Sequence, residues 1–385
     1  MSAIEDVKPN AVAPPTTQQT FRIGTRRSML ARVQADEVAK SLREAWPEHK
    51  FEIHAMATAG DNNQTTALHK FNDKALWTQD LEVLLQKGEL DLIVHCLKDM
   101  PTQLPSDLAI GAITKREDPR DALVVKGNMV EKFKTLQSLP RGAVVGTSSL
   151  RRTAQLKRAH PHLKFADVRG NVGTRLAKLD NLESEYSAIV IAVAGLKRLG
   201  MSDRITQYLS GSNGGMLYAV GQGALALEIR QGDARVVELL SRVGHDRTTR
   251  QGLAERSVMR TLEGGCSVPI GVETEWVSRK SSLTSNVGTG VGIGVKPAED
   301  YHHFTGVAEK ANGGTDGNSE SDLSDEMIMR GIVISLDGQD AAQVEFRRTV
   351  VTPEDANQFG SDVAQALIQQ GADRILKQIA IDRGS

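Results

Sequence analysis

The sequence predicts an α/β protein of two hinged lobes that close on an anionic ligand, followed by a smaller third α/β domain. Three observations predict it. A strand, a Gly-Thr turn, then a hydroxyl and arginines at the start of a helix appear twice, as RIGTRRS at 22–28 and VVGTSSLRR at 144–152. This suggests two similar units offering anion-binding turns to one cleft, with coincidence as the alternative for so short a repeat. The chain crosses between the units twice, at the charged, proline-bearing Arg116–Asp121 and again at Tyr218–Ala224, as in hinged ligand binders. From about Gly244 the character changes to a helix, then strands, then a helical C-terminus. The expected organisation is a flexible tail at 1–20, a first lobe from 21–118 plus 219–243, a second from 119–218, and a third domain from 244–385.

In chain order, Phe21–Gly24 reads as a strand. The next helix runs to about Ala45, with Leu30, Val33, Val38 and Leu42 as its apolar stripe. Phe51–Ala57 alternates as a strand, and the polar stretch Thr58–Lys74 reads as a loop. Leu76–Gln86 is a helix closed by Gly88, because glycine enters the left-handed conformation that ends helices. Leu90–Leu97 (LDLIVHCL) is a near-continuous apolar run, as expected of a buried parallel strand. Its carboxyl end delivers Lys98 and Asp99, where open α/β sheets bind ligands. Asp99 is either placed there for chemistry or a turn residue ahead of Pro101, and the local sequence supports both. His95 reads as a packed core histidine and Cys96 as core.

The second unit holds strands at Ala122–Val125, Ala143–Val145, Lys164–Val168 and Ser187–Ala192, and Leu225–Ile229 is expected to rejoin the first sheet. In the third, Asp246 is the expected cap of a helix stopped by Gly264 and Gly265. Strands come next at Ile270–Trp276, Gly331–Leu336 and Val344–Val351. A helical region from Pro353 to Ile381 is split at Gly371, since glycine inside a helix costs about 1 kcal/mol. Between them, 281–325 is rich in Gly, Ser, Asn and Asp and reads as a disordered insertion.

Composition narrows the function. The 385 residues carry a net charge of −1, with 39% apolar and 25% charged residues, ordinary for a soluble globular chain. No apolar run approaches the ~20 residues that span a bilayer. Two cysteines, Cys96 and Cys266, give neither a disulfide framework nor zinc spacing, so a reducing, cytoplasmic location is expected and no metal. Against this neutral background, 141–178 holds nine basic residues and one acidic residue, Asp167. Arg151 and Arg152 lie in the first turn of a helix, where cations oppose the helix dipole unless something negative offsets them. Arg169 and Arg175 come after another strand end. This points to a cleft for several carboxylates or phosphates; the alternative, a solvated basic face, suits Lys157 and Arg158. Cys266, in LEGGCSVP, reads either as a nucleophile or covalent anchor or as a small buried residue.

The motifs VHCLKDMPT, VGTSSLRRTAQL, RGNVGTRLAKLD, AVAGLKRLG, AVGQGALALE and LEGGCSVPIG, in this order, resemble hydroxymethylbilane synthase, also called porphobilinogen deaminase. The resemblance runs from Phe21 to about Ile381, interrupted at 281–325. It implies periplasmic-binding-protein-like lobes and condensation of four porphobilinogen molecules, head to tail, into linear hydroxymethylbilane, with loss of ammonia, in tetrapyrrole and haem biosynthesis. It further implies a dipyrromethane cofactor bound through a thioether to Cys266. Lys98, Ser148, Ser149, Arg151, Arg152 and Arg175 would grip that primer. Arg26, Ser28, Gln34, Arg169 and Arg198 would serve the substrate or the growing chain. Asp99 would be catalytic, stabilising the cation left when ammonia departs. Each pyrrole carries two carboxylates, which suits arginines. Cys96 stands where the family usually has serine, and Gln79 where it usually has lysine. The expected partner is porphobilinogen alone, for a monomer that binds neither nucleic acid nor membrane. The rivals are a non-catalytic anion receptor, against which Cys266 argues, and a nucleic-acid binder, against which the neutral charge and few aromatics argue.

Overall fold

The structure, a computed structural model, describes residues 18–57, 78–262, 268–279 and 320–384. The tail before residue 18, the 58–74 loop, Cys266 with its glycines, and most of 281–325 lie outside the described residues.

Two five-stranded sheets share one plan. The first contains β1 (Thr20–Arg26), β2 (Lys50–Met56), β3 (Leu92–Cys96), β4 (Leu108–Ile113) and β10 (Leu225–Arg230), in the order β2-β1-β3-β10-β4. The second contains β5 (Asp121–Val125), β6 (Val144–Gly146), β7 (Lys164–Ala166), β8 (Tyr186–Ala192) and β9 (Gln207–Leu209), in the order β7-β6-β8-β5-β9. In each, three strands run parallel and a fourth is inserted antiparallel between the third and the edge. The inserted strands are the ones next to the crossings: β10 leads from the second crossing back into the first sheet, and β5 opens the second sheet after the first crossing. Strands β4 and β9, not expected from the sequence, are the edges that these inserted strands require.

Of the stripe expected on the first helix, Val38 and Leu42 are buried and Leu30 and Val33 half-buried. Helix α1 (Met29–Ala45) is capped by Ser28, whose Oγ accepts from the Ala31 amide at 3.4 Å, and buries Ala35, Val38, Ala39 and Leu42 against the first sheet. Helix α2 (Gln79–Gln86) is followed by Gly88 at φ +72°. The apolar run through β3 is buried, and His95 within it shares a 2.8 Å hydrogen bond with the buried Glu228 of β10.

The third domain is an antiparallel sheet of β11 (Ile270–Ser278), β12 (Leu323–Ile334) and β13 (Ala341–Thr349), with helices at 246–261, 353–369 and 372–384. Gly371, at φ +91°, separates the last two. The helix at Asp246–Thr261 is capped not by Asp246 but by His245, whose Nδ1 accepts from the Thr248 amide at 3.2 Å. The insertion also ends earlier than expected. β12 begins at Leu323, eight residues before the predicted strand; its first four residues, Leu323 to Glu326, are half-buried and mostly polar. Ser324 Oγ donates to the Val277 carbonyl, and the Asp325 carbonyl accepts from the Val350 amide. A deletion must therefore stop short of Glu320. Ser278 pairs with Leu323, so the flanking strands bring the two ends together. Removing 284–316 and joining the ends by a short linker should leave melting temperature and turnover close to those of the full chain; a soluble, inactive product would contradict this.

The third domain touches both lobes. On the first, Gly252 packs where a Cβ would come within 2.9 Å of Leu97, and Arg256 donates to the carbonyls of Pro101 and Thr102. On the second, the exposed Lys157 and the half-buried Arg158 donate to the carbonyls of Leu336, Gly338 and Gln339 in the β12–β13 hairpin. At the crossings, Arg116 forms a bidentate pair with the buried Glu255 at 2.6 and 2.9 Å, and Glu255 also accepts from the Gly221 amide and the Thr274 hydroxyl. Burial alone would make the guanidinium easier to deprotonate, but Glu255 overrides it and holds its pKa above the usual value. Gly223 sits at φ +88°, with room for no side chain: a Cβ there would lie 2.3 Å from the Glu117 carbonyl of the other crossing.

Candidate active site

The cleft is lined by the turns and helix starts at the carboxyl ends of the strands. A 3-10 turn at Leu97–Asp99 continues β3, with Leu97 buried as its anchor and Lys98 and Asp99 half-buried at the rim. Facing them, β6 ends at Gly146, and the Ser148 hydroxyl donates to the Val168 carbonyl at 2.8 Å, tying two strand ends together. Ser149 caps helix α3 (Leu150–Ala159) by accepting from the Arg152 amide at 3.4 Å. Gly170, at φ +112°, and the Asn171 cap then turn the chain into α4 (Val172–Asp180), which carries Arg175. A short helix, α5 (Val193–Arg198), ends in Arg198.

The arginines that should oppose the α3 dipole have their counter-charge within the chain. Arg151 and Arg152 are buried, and Asp121, the first residue of β5, takes Arg151 Nη1 on one oxygen and Arg152 Nη2 on the other, each at 2.8 Å. Gln222 of the second crossing donates to the same carboxylate at 2.9 Å. Burial would raise the Asp121 pKa; Arg151 and then Arg152 outweigh it and hold the group ionised well below the usual carboxylate range. Arg151 also donates to the Leu217 carbonyl and Arg152 to that of Val190. Arg151 and Arg152 thus share one carboxylate within the chain.

Arg175 is held differently, by a backbone carbonyl. Arg175 donates its Nε to the Gly170 carbonyl at 2.7 Å and is half-buried. Burial, then the like charges of Arg152 and Arg169, push its pKa down to about 10, with Asp99 the opposing charge. These four groups, three from the second lobe and one from the first, therefore share one electrostatic neighbourhood. A second group gathers Gln34, Cys96 and Arg198. Gln34, buried on α1, donates its Nε2 to Cys96 Sγ at 3.0 Å. Cys96 is not core but half-buried at the cleft; burial raises its thiol pKa, then Asp99 does, while Lys98, Gln34 and Arg198 act against them. Arg198 donates its Nε to Glu37 of α1 at 2.9 Å and its Nη2 to the Gly223 carbonyl at 3.2 Å. Arg26 ends β1, half-buried, and Ser28 caps α1 beside it.

Asp121, Gln222 and Glu37 were missed from sequence. The signals were, for Asp121, its place at the end of a charged hinge and, for Gln222, its place in the second crossing within AVGQGALALE; Glu37 gave none. Among the described residues no group of histidines, cysteines and carboxylates could hold a metal ion, and no helix is long and apolar enough to cross a membrane.

Fold and site together define a two-lobed α/β protein whose crossings are braced by a third domain and whose strand ends bring Arg152, Arg169 and Arg175 of the second lobe near Asp99 of the first. The profile described as "Porphobilinogen deaminase, dipyromethane cofactor binding domain" matches residues 21–238, and that of the C-terminal domain of porphobilinogen deaminase matches 249–292. The porphobilinogen deaminase of Neurospora crassa is 43% identical over 96% of this chain and 96% of its own length. That of a Nostoc species is 43% identical over 96% and 98%, and that of Saccharomyces cerevisiae 40% identical over 95% and 98%. The chain belongs to the porphobilinogen deaminase family. It is accordingly a transferase of tetrapyrrole biosynthesis with hydroxymethylbilane synthase activity, and it has the family's dipyrromethane-binding domain.

Proposed function

We propose that the cleft joins four porphobilinogen molecules head to tail, releasing one ammonia at each step, with Asp99 as the catalytic carboxylate. The observation that carries this assignment is the shared electrostatic neighbourhood of Asp99 with Arg152, Arg169 and Arg175. When the C–N bond of the substrate's protonated aminomethyl group breaks, the electron pair leaves with ammonia and the positive charge passes to the pyrrole. A carboxylate at the β3 end stabilises that charge as it develops, while arginines hold the acetate and propionate groups. Asp99 therefore contributes to the transition state, and the arginines to orientation.

The dipyrromethane, when bound, supplies the acceptor pyrrole to which new units are joined. The residues fit such a group: an arginine whose pKa is depressed by burial and by two like charges is stabilised by an incoming carboxylate. Lys98, Ser148, Ser149, Arg151, Arg152 and Arg175 are proposed to hold it, Arg151 and Arg152 being positioned by Asp121, and Cys266 to anchor it by a thioether. Arg26, Ser28, Gln34, Arg169 and Arg198 are assigned to the substrate and the growing chain. A cytoplasmic monomer is in keeping with the low cysteine content and with exposed large apolar residues dispersed over separate elements, such as Met29, Leu182 and Ile381.

The test is an intact mass. Purified protein should carry the mass of two pyrrole units, and Cys266→Ser should lack it, melt lower for want of a ligand that binds only the native state, and show no turnover. A fully active Cys266→Ser protein would remove the anchor.

A further inference from the structure

Arg198 is held by a carboxylate of its own chain. Its side chain is only 6% exposed, whereas that of its partner Glu37 is 47% exposed. The two come from different lobes, Arg198 from the end of α5 and Glu37 from the middle of α1. Gln34, one helical turn before Glu37, donates to Cys96, and Cys96 feels the charge of Arg198. The pair therefore borders the cleft. Close by, a Cβ on Gly195 of α5 would lie 3.7 Å from Leu30 of α1, so the helices are in near contact. Arg198 Nη1 donates no hydrogen bond among the described residues.

We propose that Glu37 is a placeholder: its carboxylate occupies the face of Arg198 that a carboxylate of the incoming pyrrole takes over. This rests on the proposed role of Arg198 toward substrate. The asymmetry of exposure is the physical reason. A nearly buried guanidinium left without a partner is costly, so exchanging one carboxylate for another keeps Arg198 paired throughout. Glu37, half in water already, is released into solvent at little desolvation cost. The exchange also breaks an inter-lobe contact, so substrate entry and loosening of α1 from α5 become one event. Glu37 thereby competes with substrate and sets its apparent affinity.

The experiment measures inhibition constants for an unreactive porphobilinogen analogue that lacks the aminomethyl group but keeps the acetate and propionate. Glu37→Gln retains size and loses charge; it should tighten the analogue about three- to fivefold, the range of a half-exposed ion pair, and lower the KM for porphobilinogen alongside. Adding Arg198→Met should abolish the gain. Asp36→Asn removes the same charge from the adjacent exposed position and should change the constant by less than about twofold. An equal gain in Asp36→Asn would overturn the inference in favour of a general field effect. Unchanged or weaker binding in Glu37→Gln, with Arg198→Met alone weakening the analogue, would make Glu37 a support for Arg198; this overturns the inference and spares the site. If Arg198→Met alone leaves the constant unchanged, the assignment of Arg198 to substrate fails and the placeholder fails with it.

Discussion

Asp99→Asn should leave a folded protein with its two pyrrole units in place and turnover lower by about two to three orders of magnitude. One well-placed electrostatic group is worth about 3–4 kcal/mol in a transition state, and asparagine keeps the size of Asp99 while removing its charge. The primer is retained because its proposed holders are the arginines and serines of the second lobe together with Lys98. Asp99→Glu keeps the charge and shifts it by about one methylene, so it should retain more activity than Asn. A carboxylate here could also pass a proton to the departing amine, and a pH profile does not separate that role from charge stabilisation. The Asn and Glu comparison, with primer content checked by mass, tests what the two roles share. Near-normal turnover in Asp99→Asn with the primer present would reduce Asp99 to a turn residue before Pro101.

Asp121→Asn should cost about 3–5 kcal/mol of folding stability, because it strands two buried guanidiniums at once. Urea unfolding measures this; a loss under about 1 kcal/mol would mean that the backbone carbonyls of Leu217 and Val190 suffice for Arg151 and Arg152. The sign of the pH dependence comes from the direction of the shift. The Asp121 pKa is lower in the folded protein than the unfolded value of about 3.9. Its contribution is therefore complete above that value and is lost as pH falls through the lower, folded one. The Asn variant should lack this part of the acid dependence, so its stability should decline less steeply than wild type below about pH 4. Arg151→Leu and Arg152→Leu carry a folding penalty through the same carboxylate, which the basic cluster by itself did not reveal.

The frame was legible where local pattern and burial coincide. The runs at β3 and β8 are apolar because both faces are covered; Gly88 and Gly371 end helices because they adopt positive φ; and the return of Leu225–Ile229 to the first sheet is the price of a double crossing. Elements without a one-sided pattern escaped. The middle of β4 is half-buried throughout, β9 has three residues, and β12 opens on four half-buried, mostly polar residues. At the site, Asp99 and the arginines stood out because charges at strand ends are conspicuous. The division of labour among them was not legible. It depends on Asp121 meeting residues 30, 31 and 101 positions away, and on Glu37 meeting one 161 away. Sequence spacing carries no trace of such pairings.

The inserted strands also fix an order of assembly. Every strand of the second sheet lies between Asp121 and Leu209, so that sheet can be complete as soon as its own segment has been synthesised. The first sheet, although it begins at Thr20, lacks β10 between β3 and β4 until Arg230 exists. Until then β3 and β4 present unpaired edges with nothing to join them. On the ribosome the lobes are therefore finished in the reverse of their order along the chain, and the lobe that carries Asp99 closes last.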